Sequence, residues 1–175
     1  MTRGVAGPVP GRPAADGVVI VPYDARYCEG ARLAQNEAFA DEPHGRLLDA
    51  LDWPRYAVGL ATFLPAASFL ALAAATGSAT GHGQQVVAFL LSLEHRGHSD
   101  DRAGTLLSLG TRSRWRRHGL ATTLISHALT AYQQAGFTTA RLEVCSHNAS
   151  AINLYTKLGF APSDRGYAIL MGPIP

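Results

Sequence analysis

Hydrophobic positions first become regular at Val18. "VVIVPY", Val18 to Tyr23, is β-branched and predicts a strand, and Asp24 can cap the helix that "ARYCEGARLAQNEAF" predicts. Pro43 and Pro54 punctuate the next region, where Arg46 to Leu51 and Trp53 to Leu60 read as short helices. Ser68 to Ala73 reads as a strand, a Gly/Ser/Thr turn follows, and "VVAFLLSLE", Val86 to Glu94, reads as the next strand. "TLLSLGT", Thr105 to Thr111, is another. Then Leu120, Leu124, Ala128, Tyr132 and Ala135 recur at helical spacing, and Gly136 suits the end of that helix. "TTARLEVC" alternates: Ala140, Leu142 and Val144 point one way, Arg141, Glu143 and Cys145 the other. Asn148 opens a short helix stopped by Gly159, and "YAILM" reads as a final strand. The order predicts one mixed α/β, or α+β, domain over 18–175. Residues 1–17, rich in Pro and Gly and without an apolar leader core, are expected to be a flexible tail.

Composition narrows this picture. The chain has 175 residues, 47% hydrophobic and 16% charged, so it can bury a real core. A net charge of +2 argues against a general nucleic-acid coat. The cysteines, Cys28 and Cys145, are far apart and fit reduced buried thiols. Val58 to Ala75 carries no charge and imitates a membrane span, but Pro65 interrupts it and its end reads better as the strand above. "EHRGHSDD", Glu94 to Asp101, gathers metal-ligand types on a polar loop without ligand spacing, so no metal is expected.

Two short stretches carry candidate chemistry. "LGTRSRWRRHGLATTL" is a strand, a basic turn and a helix start. Helix starts favour negative charge, yet arginines crowd this one. A turn of this kind points several N–H groups at one spot, Gly119 lets a ligand approach, and the arginines add donors. The arrangement suits a phosphate or pyrophosphate. A solvated basic turn and a DNA-reading helix are the alternatives. The second stretch is "LEVCSHNASAINLYTKLGF". There Asn148, Ala151 and Tyr155 share one helix face, beside the end of the strand bearing Glu143. By themselves, Asn148 reads as an N-cap and Tyr155 as a core aromatic.

Together the two stretches resemble the GNAT superfamily of N-acetyltransferases. "RRHGLA" is similar to its (Gln/Arg)-x-x-Gly-x-(Gly/Ala) pyrophosphate loop, and "NASAINLYTKLGF" to its Asn…Ala…Leu-Tyr…Gly-Phe signature. The likeness is strong over Val86 to Phe160. Its C-terminal half is most similar to protein N-terminal (ribosomal-protein alanine) acetyltransferases and to the mycothiol synthase pattern. The chain departs from the family at Thr111, where an apolar β-branched residue is usual, and at Cys145 and His147.

The resemblance implies a single acyltransferase domain with a mixed, mostly antiparallel central sheet, splayed between its fourth and fifth strands and flanked by helices. It implies acetyl-CoA as co-substrate, without a metal, and direct attack by an amine. Glu143 would be the general base, with Glu94 as runner-up, and Tyr155 the general acid. Val86 to Glu94 is expected to part from Thr105 to Thr111 and to supply an oxyanion donor. Pantetheine would enter that gap, pairing with Leu109, Gly110 and Thr111, with Asn148 on its other side. Gly119, Leu120, Ala121 and Thr122 would seat the pyrophosphate, surrounded by Arg116, Arg117 and His118. Arg112 and Arg114 either reach the 3′-phosphate or form a solvated charge cluster. The acceptor would be a peptide N-terminus, a lysine or a small amine, in the cytoplasm, with neither nucleic acid nor membrane as partner. A homodimer stays open. An acyl-CoA-binding module without turnover is the competing reading, and an intact Glu143/Tyr155 pair weighs against it.

Overall fold

The uninterrupted apolar run "VVAFLLSL" has a simple cause: its strand is covered on both faces. In this computed structural model, which describes residues 1–6, 15–42, 47–74, 83–95 and 102–163, Gln84–His95 (β4) lies within a six-stranded sheet. The other strands are Thr2–Gly4 (β1), Val18–Pro22 (β2), Phe69–Ala74 (β3), Ala103–Thr111 (β5) and Thr139–Leu142 (β6), in the order β1-β6-β5-β4-β3-β2. Helix Cys28–Ala38 (α1) covers one face. There Ala31, Ala34, Trp53, Leu72, Val86, Phe89 and Leu91 form one core. Helix Leu120–Gln134 (α2) covers the other, where Leu124, Ile125, Ala128 and Tyr132 pack with Leu90, Leu106 and Leu142. Helix Ala149–Lys157 (α3) adds Tyr155 to that second core. Each fully buried Leu or Ile contributes about 1.5–3 kcal/mol of apolar burial.

All neighbouring strands are antiparallel except β5 and β6, which are parallel. Leu91 pairs with Ser108 and Ser92 with Leu106, so Leu107 is an extra residue, a β-bulge. The parallel pairing stops beside it: Leu106 pairs with Leu142, and β6 ends there. Beyond that point β5 runs on to Thr111, and among the described residues β4 is its one partner strand there.

The sheet is thus opened between the strands counted fourth and fifth from the sequence, which omits β1. The expectation that Val86 to Glu94 would part from Thr105 to Thr111 is corrected, because these strands pair along their whole length. The predicted strand over "TTARLEVC" is shorter than expected, since Glu143, Val144 and Cys145 lie past the last paired residue.

Three further expectations change. Thr2–Gly4, assigned to a tail, pairs antiparallel with β6, and Val5 is 2% exposed. Leu47 to Leu51 is not helical; instead the Asp49 carboxylate accepts from the N–H groups of Leu51 and Asp52 and leads into the π-helical turn Pro54–Val58. Cys145 is exposed rather than buried. Val58 to Ala74 folds as that turn's end, the 3-10 turn Pro65–Ala67 and β3, and no described helix is long and apolar enough to cross a membrane. "YAILM" and 96–101 lie outside the described residues.

Candidate functional site

The basic turn follows β5 directly. A 3-10 turn, Ser113–Trp115, leads to Arg116, then to Arg117 at φ 67° and Gly119 at φ 81°. A non-glycine residue in the left-handed region costs on the order of 1–3 kcal/mol and points to a local requirement. Arg117 lies in the turn that leads into α2. Gly119 caps α2 without a side-chain bond, and the first helical bond runs from Thr123 N to Gly119 O, 3.1 Å. The N–H groups from Arg117 to Thr122 find no acceptor among the described residues. The first turn of α2 holds no acidic residue. The array is therefore electropositive and open, as an anion site needs to be.

The arginines are not equivalent. Arg112 donates from Nη1 to Glu37 Oε2 at 2.5 Å and from Nε to Val86 O at 2.7 Å. The end of α1 thus holds it, and it is not part of a purely solvated charge cluster. Arg116 donates to Ala38 O at 3.0 Å and to Thr111 O at 3.4 Å. Arg114 and Arg117 are exposed. The His118 ring sits 2.8 Å from Arg116 O and 6.2 Å from the Trp115 ring centroid.

The strand edge leading to this turn has its own logic. Arg112 N donates to Val87 O, so along an alternating strand Gly110 also faces β4. The backbone groups of Leu109 and Thr111 then face the open side. Gly110 acts by being small: a Cβ there would lie 2.5 Å from the Phe89 ring and 2.9 Å from Ala38 Cβ. The expected oxyanion donor lay on Val86 to Glu94, a strand flanked by β3 and β5; beyond Leu106 it is β5 that has an unpaired edge among the described residues.

Asn148 caps α3, its Oδ1 accepting from Ala151 N at 3.0 Å. Its amide NH2 has no partner among the described residues. Tyr155 is 9% exposed and packs in one core with Leu106, Leu120 and Leu142, its ring 5.9 Å from Phe160. Burial pushes its hydroxyl pKa up. Glu143 is exposed and directly follows Leu142, where the parallel pairing ends. Glu94 pairs with Arg102 at 3.5 Å, opposite Gly104, at the end of β5 remote from the basic turn. Glu143 thus lies next to the end of the parallel pairing, Tyr155 belongs to the core that holds Leu106 and Leu142, and Glu94 lies at the other end of β5. No group of His, Cys, Asp or Glu suited to a metal occurs among the described residues.

The structure adds residues that sequence reading missed. Leu107 bulges beside the point where the pairing with β6 stops, and Glu37 and Ala38 accept from the arginines of the turn. Nothing local in the sequence marks them.

A family model described as "Acetyltransferase (GNAT) family" matches residues 29–160. The structure of the NatC complex bound to Gag peptide and CoA is similar, with TM-score 0.64 and 22% identity, over 82% of this chain and 84% of that one. The ribosomal-protein-S18-alanine N-acetyltransferase from Escherichia coli aligns with TM-score 0.61 and 21% identity, over 83% and 79%. An aminoglycoside acetyltransferase from an uncultured soil metagenomic sample, in complex with sisomicin, aligns with TM-score 0.66 and 13% identity, over 91% and 98%. No curated protein sequence matches the chain. At these identities the solved structures show a shared fold.

Proposed function

The chain belongs to the GNAT acetyltransferase family, and from that premise we propose that it moves an acetyl group from acetyl-CoA to a primary amine by direct attack, in a ternary complex without an acyl-enzyme. The observation that carries this reading is the open N–H array from Arg117 to Thr122, set at the end of a free strand edge. The two features have the chemistry of the two halves of CoA. Gly119, Leu120, Ala121 and Thr122 take the pyrophosphate, with Arg117 and His118 beside them. Pantetheine lies along Leu109 and Thr111 as an added strand, and the Asn148 amide holds it from the other side.

The acetyl end then reaches the vertex at Leu106 and Leu142. Glu143 takes a proton from the acceptor ammonium, directly or through water. The nitrogen lone pair attacks the thioester carbon, a C–N bond forms, and the C–S bond breaks. Tyr155 gives its proton to the leaving sulfur; its burial keeps the phenol protonated until then. Each assisted proton transfer contributes about 10²–10⁴ in rate. An N–H group on the edge of β5 near Leu107 polarises the carbonyl.

The acceptor class is a peptide N-terminus, a lysine or a small amine, met in the cytoplasm. The NatC structure holds a Gag peptide and the metagenomic enzyme holds sisomicin, and both ligand types suit an open vertex. Acetyl-CoA at 100 times its Kd should stabilise the fold by about 2.7 kcal/mol. Thiol release should follow with one of a panel of N-terminal peptides, polyamines and aminoglycosides. Absence of any thermal shift would sink the reading. A shift without acetylation of any amine would leave a binding module instead.

A further inference from the structure

Two helix ends of opposite polarity meet at the basic turn. Helix α2 begins there with open N–H groups, and α1 ends there with Ala38, whose carbonyl is among the last four of its helix. The Arg116 guanidinium joins them. Its Nε donates to Thr111 O at the end of β5, and its Nη2 to Ala38 O at the end of α1. One rigid planar group thus fixes three points: a strand end, a helix end and the Cα just before the left-handed residue Arg117. Ala38 is well placed as an anchor, because it packs against Gly110. Arg112 makes a parallel tie from Nη1 to Glu37, whose other carboxylate oxygen accepts from Ser113 Oγ at 3.4 Å.

We propose that Arg116 is a positioning residue, which ties the cofactor turn to the carbonyl end of α1 and thereby aims the N–H array, rather than a charge that contacts the anion. This rests on the acetyl-CoA reading above. The guanidinium acts through two hydrogen bonds to neutral carbonyls, so what matters is a planar double donor, and its charge is incidental. Arg117, exposed like Arg116 but with no side-chain hydrogen bond among the described residues, is the neighbour that acts by charge.

The test compares acetyl-CoA Kd for the wild type, Arg116→Ala, Arg116→Gln and Arg117→Ala at low and high salt. Arg116→Ala should weaken binding about tenfold. Arg116→Gln, a neutral donor of two N–H bonds, should recover most of that loss. The Arg116→Ala deficit should be the same at both salt concentrations, whereas the Arg117→Ala deficit should shrink as salt rises. Glutamine no better than alanine, or an Arg116 deficit that fades with salt, would overturn the proposal. Amide hydrogen exchange needs no ligand. Arg116→Ala should speed exchange both in the turn and at the end of α1, and glutamine should slow it again; unchanged exchange also overturns the proposal. Failure of the wild type to bind acetyl-CoA while exchange responds as expected would reject the functional reading and leave the tie itself intact.

Discussion

β5 has two sides with different fates. Toward β4 it pairs from Ala103 to Thr111, absorbing one extra residue at Leu107. Toward β6 it pairs only from Ala103 to Leu106. The same strand therefore stabilises on one side and offers free backbone on the other. The bulge at Leu107 lies next to Leu106, the last residue to pair with β6, and the partner of Leu106 is Leu142, which precedes Glu143. The comparison separates two kinds of position. Changes along the closed seam should appear as lost stability, and changes along the open one as lost binding or turnover.

The sharpest way to test that separation is Tyr155→Phe. We expect kcat to fall about 10²-fold or more, with acetyl-CoA affinity within about twofold, since only the hydroxyl is removed. Steady-state kinetics with the identified acceptor decide it, and unchanged turnover removes the acid role. Next comes Gly119→Glu, which places a side chain at φ 81° and a carboxylate on the open N–H array. Calorimetry should show acetyl-CoA binding weakened about 100-fold, through both strain and repulsion of the anion; unaltered affinity means the array is not the anion site.

The closed end of β5 should respond in the other currency. A methyl group at Gly104 would collide with the buried Tyr132 ring. Gly104→Ala should cost about 1–3 kcal/mol by urea denaturation, and a neutral result would show that α2 can shift to make room. The smallest effect at neutral pH concerns the buried phenols. Burial raises the pKa of Tyr132 and Tyr155, so the folded state retains protons that the unfolded chain releases near pH 10. Their contribution to stability should be level below about pH 10 and fall above it. Tyr132→Phe should flatten that fall more than Tyr155→Phe does, because Tyr132 is the more completely buried. A urea midpoint equally steep in pH for both variants would contradict this.

The local structure of the candidate site could be read from the sequence because its parts are local. "RRHGLA" and "NASAINLYTKLGF" each encode a turn or cap within a few residues, and Gly119 and Asn148 sit in the conformations those patterns require. The placement of the opening could not be read. It depends on which neighbour of β5 tolerates Leu107, and that is settled by pairing on both sides at once. The fates of Arg112 and Arg116 were equally hidden, since Glu37 and Ala38 lie 75 and 78 positions away along the chain. The start of the chain misled for a compositional reason. Thr2, Arg3 and Gly4, beside a Pro/Gly-rich run, carry no strand signal, yet they pair with β6 and Val5 joins a core.

That outer partner has a consequence for how the molecule is assembled on the ribosome. Met1 N meets Leu142 O across 141 positions, and Arg3 meets the carbonyl of Leu158 across 155. Translation runs in one direction, so β1 must wait unpaired while nearly the whole domain is synthesised. The helices and the β3–β4 hairpin can form as they emerge; the last border of the sheet closes only when its two most distant segments are both in hand.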